Sequence, residues 1–255
     1  MSTGTFPPDP LSRKAVYVLQ QHDIEKCAYE PGSGQILLDE EAYVLPFPIV
    51  ISDDSPTALQ NIIHADLARP GRVLVQSPFD PNNYEDAADA PQRFALEKHM
   101  LFARLCGLLG ATEVSVEQID LRSRSTKISI NAGGEVLDKG GQVEATLDEV
   151  EQLRTKMTLS HKFKGAPPNV EAARNLLRKY RLGSDPGMRG LVDMMEDGGN
   201  QMVEQKLTIS LSSEAKNNLS VIARLTLPSF VKLSAEYDRV TKEQYDLSLT
   251  VLVKF

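Results

Sequence analysis

The stretch Tyr245–Phe255 (YDLSLTVLVKF) decides the fold class, because its odd-numbered residues are apolar over the whole length. Such an alternation places every second side chain on the same face of a β-strand, so one face is predicted to be buried and the other wet. In the stretch Val203–Leu211 (VEQKLTISL), four apolar residues (Val203, Leu207, Ile209 and Leu211) alternate with Glu204, Lys206, Thr208 and Ser210. Together, the two stretches predict an antiparallel sheet in the C-terminal part of the chain.

The sequence between these two stretches does not decide its secondary structure. From Leu219 to Tyr237 the odd-numbered positions are mostly apolar, which predicts further strand over residues 219–238. If continuous, that strand would be about 66 Å long, well beyond the usual 3–10 residues. Pro228 lacks a ladder donor and favours a break into two strands. Residues 142–156 are equally open and can be read as strand or as helix.

The N-terminal part mixes helical spacing with short apolar runs. Gly110 follows the last apolar position of the longest predicted helix, as a residue just beyond a helix end often does. A strand, a long helix and a second strand in succession predict a βαβ-like unit with parallel strands. The predicted elements are helix over Leu11–His22, strand over Tyr43–Ile51, helix over Ser55–Ala68, strand over Arg72–Ser77, helix from about Tyr84 to Leu109, and strand over Glu113–Leu121.

These patterns predict an α+β protein. We expect a mixed α/β N-terminal part, then a predominantly antiparallel C-terminal sheet with a helical insertion. The composition of the sequence changes after the strand that ends near residue 122. This change predicts two domains, 1–122 and 123–255, with the helical segment at about 168–197 in the second.

Charge is distributed unevenly along the 255 residues. Residues 1–112 carry 8 basic and 15 acidic side chains, a net charge of −7, whereas residues 113–255 carry 20 of each. Within the second part, residues 154–189 hold nine basic side chains against two acidic ones. The overall acidity argues against binding to duplex nucleic acid, while the local basic segment leaves an anionic partner open.

The basic segment supplies the candidate partner-binding or anion-binding residues. They are Lys162, Lys164, Arg174, Arg178, Lys179 and Arg181. The competing interpretation is an ordinary solvated face that acidic neighbours neutralise in the fold, with the apolar stripe of residues 169–181 docking on the protein's own core.

A second candidate site lies in the loop and helix start after the predicted strand Arg72–Ser77. Four acids occur there within ten residues: Asp80, Glu85, Asp86 and Asp89. Clustered carboxylates suit Mg²⁺ or Ca²⁺, so a metal site is one interpretation. Acids at a helix start are also explained by the helix dipole alone.

Familiar catalytic and targeting signals are missing from the sequence. It contains no phosphate-binding loop, dinucleotide fingerprint, zinc-protease motif or hydrolase elbow, so no cofactor and no catalytic residue is implied by motif, and enzymatic activity stays open. The two cysteines fit a reducing compartment. Because no signal peptide and no apolar run of about 18 residues is present, we expect a cytoplasmic protein without a transmembrane segment.

Three functions fit these observations. The first is a non-enzymatic interaction or self-assembly protein, in which acidic residues 1–112 of one copy meet basic residues 154–189 of another. The second is a membrane-active effector, since long strands beside a cationic helical segment resemble, in architecture only, the perforin and gasdermin pore formers. The third is a divalent-metal-dependent hydrolase that uses the Asp80–Asp89 loop.

Overall fold

The computed structural model describes residues 6–29, 34–52, 54–122, 126–141, 151–157, 159–196, 202–225 and 246–255. Two compact units make up the chain. The first comprises Met1–Arg93 and Glu214–Lys242, and the second comprises Phe94–Ser213 and Glu243–Phe255. Helices and two sheets, one mixed and one antiparallel, confirm the predicted α+β class. The expected division into domains 1–122 and 123–255 stays a prediction.

In chain order the described strands are β1 (Ala15–Gln20), β2 (Ala42–Phe47), β3 (Val73–Gln76), β4 (Tyr84–Asp86), β5 (Glu113–Arg122), β6 (Thr126–Asn131), β7 (Val136–Gly141), β8 (Ser160–Lys162), β9 (Glu204–Ser210) and β10 (Asp246–Lys254). The helices are α1 (Gln21–Tyr29), α2 (Gln35–Leu38), α3 (Thr57–His64), α4 (Ala90–Leu108), α5 (described over 151–156), α6 (Val170–Lys179), α7 (Pro186–Glu196) and α8 (Ala215–Arg224).

The sheet of the first unit has the order β2-β1-β3-β4. Strand β1 pairs in parallel with β2 and antiparallel with β3, and its first five residues are all buried. The prediction of a helix over Leu11–His22 is therefore wrong for residues 15–20, whereas residues 11–13 lie in a short 3₁₀ helix and residues 21–22 begin α1. A strand with neighbours on both sides and both faces covered reads as a continuous apolar run, here AVYVL, and lacks the period-two signal.

The edge strand of this sheet, β2, is expected from the sequence pattern and from its prolines. The strand predicted over Tyr43–Ile51 is present as β2 up to Phe47 but not over residues 48–51, and β2 occupies the edge position that Pro46 implies. Because an edge strand leaves one row of backbone groups outside the ladder, a proline there removes no hydrogen bond that the sheet requires.

Helix α8 also belongs to the first unit, where it contacts β1 and β3. The predicted strand over residues 219–238 is wrong for residues 219–224, which are helical. The buried positions Ala215, Asn218, Val221 and Ile222 follow a helical spacing. Ile222 is apolar at an even-numbered position, so it does not fit the period-two pattern of a strand. Residues 226–245, which include Pro228, lie outside the described residues.

The second unit contains an antiparallel sheet of order β7-β6-β5-β10-β9, with β8 paired to the start of β5. The C-terminal strand β10 lies between β5 and β9, and its odd-numbered residues are buried. Both strands predicted from alternation, β9 and β10, are confirmed.

The predicted βαβ-like unit does not form. Strand β3 belongs to the sheet of the first unit, and β5 belongs to the sheet of the second. The long helix is also shorter than predicted, because Tyr84–Asp86 form β4, which pairs antiparallel with β3.

Helix α4 ends where the sequence predicts. The Ala111 amide donates to the Cys106 carbonyl at 3.0 Å and the Gly110 amide donates to the Gly107 carbonyl at 3.2 Å, which is the double closure of a Schellman motif. Gly110 has φ of 90°, and a Cβ placed on it would lie 2.4 Å from the Ala166 carbonyl oxygen. Only glycine therefore fits at this position.

Within the described residues, no helix is both long and apolar enough to cross a membrane. The predicted helical insertion of the second unit is present as α6 and α7, which pack against each other.

Candidate functional site

The basic segment is held in place by a residue that joins two helices. The Asn169 amide donates to the Leu108 carbonyl at 2.8 Å, satisfying a carbonyl at the end of α4. Its side-chain oxygen accepts from the Ala172 amide at 2.9 Å and so caps the start of α6. Asn169 thus fixes the position of α6 relative to α4 within the second unit.

The C-terminal end of α6 has an unusual residue. The Leu182 amide donates to the Leu177 carbonyl at 2.8 Å, and the Arg181 amide donates to the Arg178 carbonyl at 3.3 Å, as in a Schellman motif. The residue that such a motif requires in the left-handed region is usually glycine, but here it is Arg181, with φ of 57°. A side chain in that conformation costs on the order of 1 kcal/mol.

Helix α6 separates its apolar and cationic sides. Ala173, Leu176 and Leu177 are buried, whereas the basic residues face outward. Arg174 differs from the other candidate residues, because it is ion-paired with Glu196 and lies 4.0 Å from Asp193. Because Ala173, Leu176 and Leu177 are buried, the apolar stripe of α6 packs on the protein's own core, which is one of the two interpretations of this helix given above.

Three basic residues at the C-terminal end of α6 and just beyond it have no such neutralisation. Arg178, Lys179 and Arg181, which we call the α6 cationic cluster, are exposed and form no ion pair within the described residues. Arg178 donates to the side-chain oxygen of Asn175, and the Lys179 ammonium lies 5.1 Å from the Tyr180 ring centre. Three further cations share this exposure and lack of an ion pair in the described part of the chain: Lys162, Lys164 and Arg189.

The four acids of the predicted metal site have separate local roles. Both carboxylate oxygens of Asp80 accept hydrogen bonds within its own turn, from the Asn82 amide and the Asn83 side chain. Asp86 is ion-paired with Arg72 at 3.0 Å. The Asp89 carbonyl accepts from the Arg93 amide at the start of α4.

Glu85 differs from the other three acids. Burial raises the pKa of the Glu85 carboxyl, and nearby Asp89 and Asp86 raise it further, against the lowering effect of Arg93. Across the described residues no group of three or more His, Cys, Asp or Glu side chains is placed to hold a metal ion. The metal interpretation of this loop stays a prediction without a supporting contact.

Two side-chain clusters in the second unit were missed by sequence reasoning. In the first, the Lys98 ammonium lies 2.6 Å from the Asp185 carboxylate and 3.0 Å from the Ser213 hydroxyl. The other Asp185 oxygen accepts from the Met188 amide and caps α7. Residues so distant in sequence give no pattern that could reveal the contact.

The second missed cluster is a pair of histidines. Nε2 of His99 on α4 and Nε2 of His161 on β8 are 3.3 Å apart. His99 is 1% exposed, and burial lowers the pKa of His161. Cys106, on the same helix as His99, is buried, and burial raises the pKa of its thiol, so it has no nucleophilic character.

Comparison with protein-family models, with curated proteins and with solved structures finds no match to this chain.

Proposed function

We propose that this chain is a self-assembling interaction protein, in which the α6 cationic cluster of one copy binds the acidic first part of another. The contact is heterologous, because the two surfaces differ, and it therefore produces chains or rings rather than a symmetric dimer. The proposal does not require a cofactor or a catalytic group.

The observation that carries this proposal is the lack of neutralisation around the cluster. Arg174, only four residues before Arg178, has two carboxylates near it, whereas Arg178, Lys179 and Arg181 have no ion pair in the described part of the chain. Exposed like charges that lie side by side repel one another, which destabilises the free protein. An acidic partner surface would remove that repulsion and use the charges for recognition.

The helix dipole explains only part of this arrangement. Basic residues in the last turn of a helix stabilise it by about 0.3–1 kcal/mol each, which accounts for Arg178 and Lys179. It does not account for Arg181, which follows the helix in a backbone conformation that glycine adopts at lower cost. A role for the guanidinium beyond the fold supplies the missing reason for an arginine there.

The acidic partner surface is available on the first unit. Glu25, Glu40, Asp54 and Asp89 are exposed and form no ion pair within the described residues. With a net charge of −7 over residues 1–112, this part of a second copy attracts the cluster at long range. Because both surfaces are exposed to solvent, the attraction weakens as the ionic strength rises.

The test is the oligomeric state of a charge-reversed variant. We expect sedimentation velocity at low salt to show assemblies of the unaltered chain, and added salt to dissociate them. The variant Arg178→Glu/Lys179→Glu/Arg181→Glu is expected to sediment as a monomer. A matched control, Arg104→Glu/Arg122→Glu/Lys139→Glu, reverses three exposed cations elsewhere in the second unit and should still assemble.

A charge swap separates specific contact from a change in net charge. The variant Glu25→Lys/Glu40→Lys/Asp54→Lys should not assemble by itself, but it should bind the charge-reversed α6 variant when the two are mixed. A wild-type chain that remains monomeric at every concentration tested overturns the proposal. So does an α6 variant that assembles as well as the matched control.

A further inference from the structure

The histidine pair of the second unit has the spacing of two ligands on one metal ion. Two nitrogens bound to a tetrahedral Zn²⁺ at about 2.0–2.1 Å lie about 3.3 Å apart. The Nε2 atoms of His99 and His161 are 3.3 Å apart.

The distance between the two ring centres also favours a shared metal ion. If the two imidazoles met head-on in a straight hydrogen bond, a 3.3 Å nitrogen separation would place their centres about 5.6 Å apart. Two rings whose lone pairs converge on one tetrahedral ion have centres about 5.2 Å apart. The observed separation is 5.3 Å, with the ring planes inclined by 47°. The ring axes are therefore not collinear, in agreement with convergence on a common point.

The rest of the environment holds the two rings in place. His99 lies on the long helix α4 and is 1% exposed, and His161 lies on β8, which is paired to β5. The His161 ring also stacks on Phe163, with centres 6.4 Å apart and planes inclined by 17°. Ligands that are already positioned lose little freedom when a metal binds.

We propose that His99 and His161 form a binding site for Zn²⁺ in the second unit. The ion takes the position between the two Nε2 atoms, and water fills the other two coordination positions, because no third protein ligand lies with them in the part of the chain that the structure describes. A site with two protein ligands binds more weakly than a four-ligand structural site, so the expected dissociation constant is micromolar rather than nanomolar. This proposal does not depend on the self-assembly proposed above.

The test is titration of the metal-free chain with Zn²⁺ at neutral pH, followed by calorimetry. We expect one ion per chain in the wild type. His161→Gln should bind at least tenfold more weakly, since a glutamine amide can keep a hydrogen bond to His99 but is a poor zinc ligand. The control is His64→Gln, which removes an exposed histidine of α3 and should bind as the wild type does.

Two further measurements keep the proposal falsifiable if His161→Gln folds poorly. His161→Cys retains a zinc ligand, so it should keep binding that Gln loses. Co²⁺ bound in place of Zn²⁺ should give the visible absorption of tetrahedral rather than octahedral cobalt. The proposal is overturned if the wild type shows no saturable binding of one Zn²⁺, or if folded His161→Gln binds as tightly as the wild type.

Discussion

Lys98 and Asp185 form an ion pair of 2.6 Å in the interior of the second unit, where their side chains are 0% and 4% exposed. Taking two charges out of water is costly, and the pair offsets this only while both members are present. The pair therefore joins α4 to the N-terminal end of α7, whose first turn Asp185 also caps.

Removing one member of this pair is expected to destabilise the chain strongly. Lys98→Met should lower the free energy of unfolding by about 3–5 kcal/mol, because an unpaired carboxylate remains buried. The double variant Lys98→Met/Asp185→Asn should recover most of that loss, since asparagine keeps the cap without the charge. Urea unfolding of the two variants measures the difference, with the exposed Asp193→Asn as control. A single variant as stable as the double one would contradict this.

Gly110 is expected to tolerate no side chain. Gly110→Ala brings a Cβ to 2.4 Å from a backbone oxygen and places alanine at φ of 90°, so we expect a loss of about 3 kcal/mol or more, as for other strained substitutions at tightly packed positions. A Cβ placed on Gly190 in α7 would have no neighbouring atom within 4 Å. Gly190→Ala should therefore raise the stability by about 0.5–1 kcal/mol. Thermal unfolding of both variants tests the opposite signs.

Arg181 offers a test of a trade between stability and binding. Arg181→Gly relieves the left-handed conformation of the backbone and is expected to stabilise the chain by about 1 kcal/mol. The same change inside the helix, Arg178→Gly, should instead destabilise it by about 1 kcal/mol. Chemical unfolding measures both. If Arg181→Gly lowers the stability, the guanidinium makes a structural contact that outweighs the strain.

Acid stability is expected to depend on Arg224, which binds Asp39 at 2.8 Å and Glu41 at 2.6 Å within the first unit. Burial raises the pKa of Asp39, but hydrogen bonds from Arg224 and backbone amides outweigh it and the net pKa is lowered. Hydrogen bonds from Lys14 and Arg224 lower the pKa of Glu41. A carboxyl whose folded pKa lies below its unfolded value stabilises the fold above the unfolded value, about 4, and this stability is lost as the pH falls through the folded value.

Arg224→Met should therefore reduce the stability at pH 7 and flatten its decline in acid. The expected reduction is about 1 kcal/mol, since the Arg224 side chain is 46% exposed and solvent screens the pair. Unfolding measured from pH 7 to pH 3 tests this, with Arg104→Met, an exposed arginine without an ion pair in the described residues, as control. Parallel pH profiles for Arg224→Met and the wild type would refute the assignment.

The parts of the fold that the sequence predicts correctly are those with one buried and one wet face. Strands β9 and β10 alternate because they lie in a sheet of this kind. Strand β1 is buried on both faces, so its apolar run carries no period-two signal and does not distinguish a strand from a helix. At residues 219–224 a partial alternation coexists with helical spacing, and only Ile222 distinguishes the two.

For the candidate sites, too, the sequence predicts what depends on a local pattern and does not predict what depends on packing between distant residues. The exposure of Arg178 and Lys179 follows from the amphipathic pattern of α6, so the sequence predicts it. The neutralisation of Arg174 by Glu196 depends on how α7 packs on α6, which local pattern does not encode. His99 and His161 are 62 residues apart on elements of different type, and only the folded chain brings their nitrogens together.

The central position of β10 bears on how quickly the second unit can fold. Lys254 of β10 and Glu113 of β5 pair across a separation of 141 residues. A contact this remote in sequence raises the contact order, and the entropy of closing the loop must be met before the pairing contributes any stability. Before β10 pairs with them, β5 and β9 each expose a row of unpaired backbone groups. Such exposed strand edges promote the aggregation of partly folded chains. Refolding of the second unit is thus expected to be slow and sensitive to protein concentration.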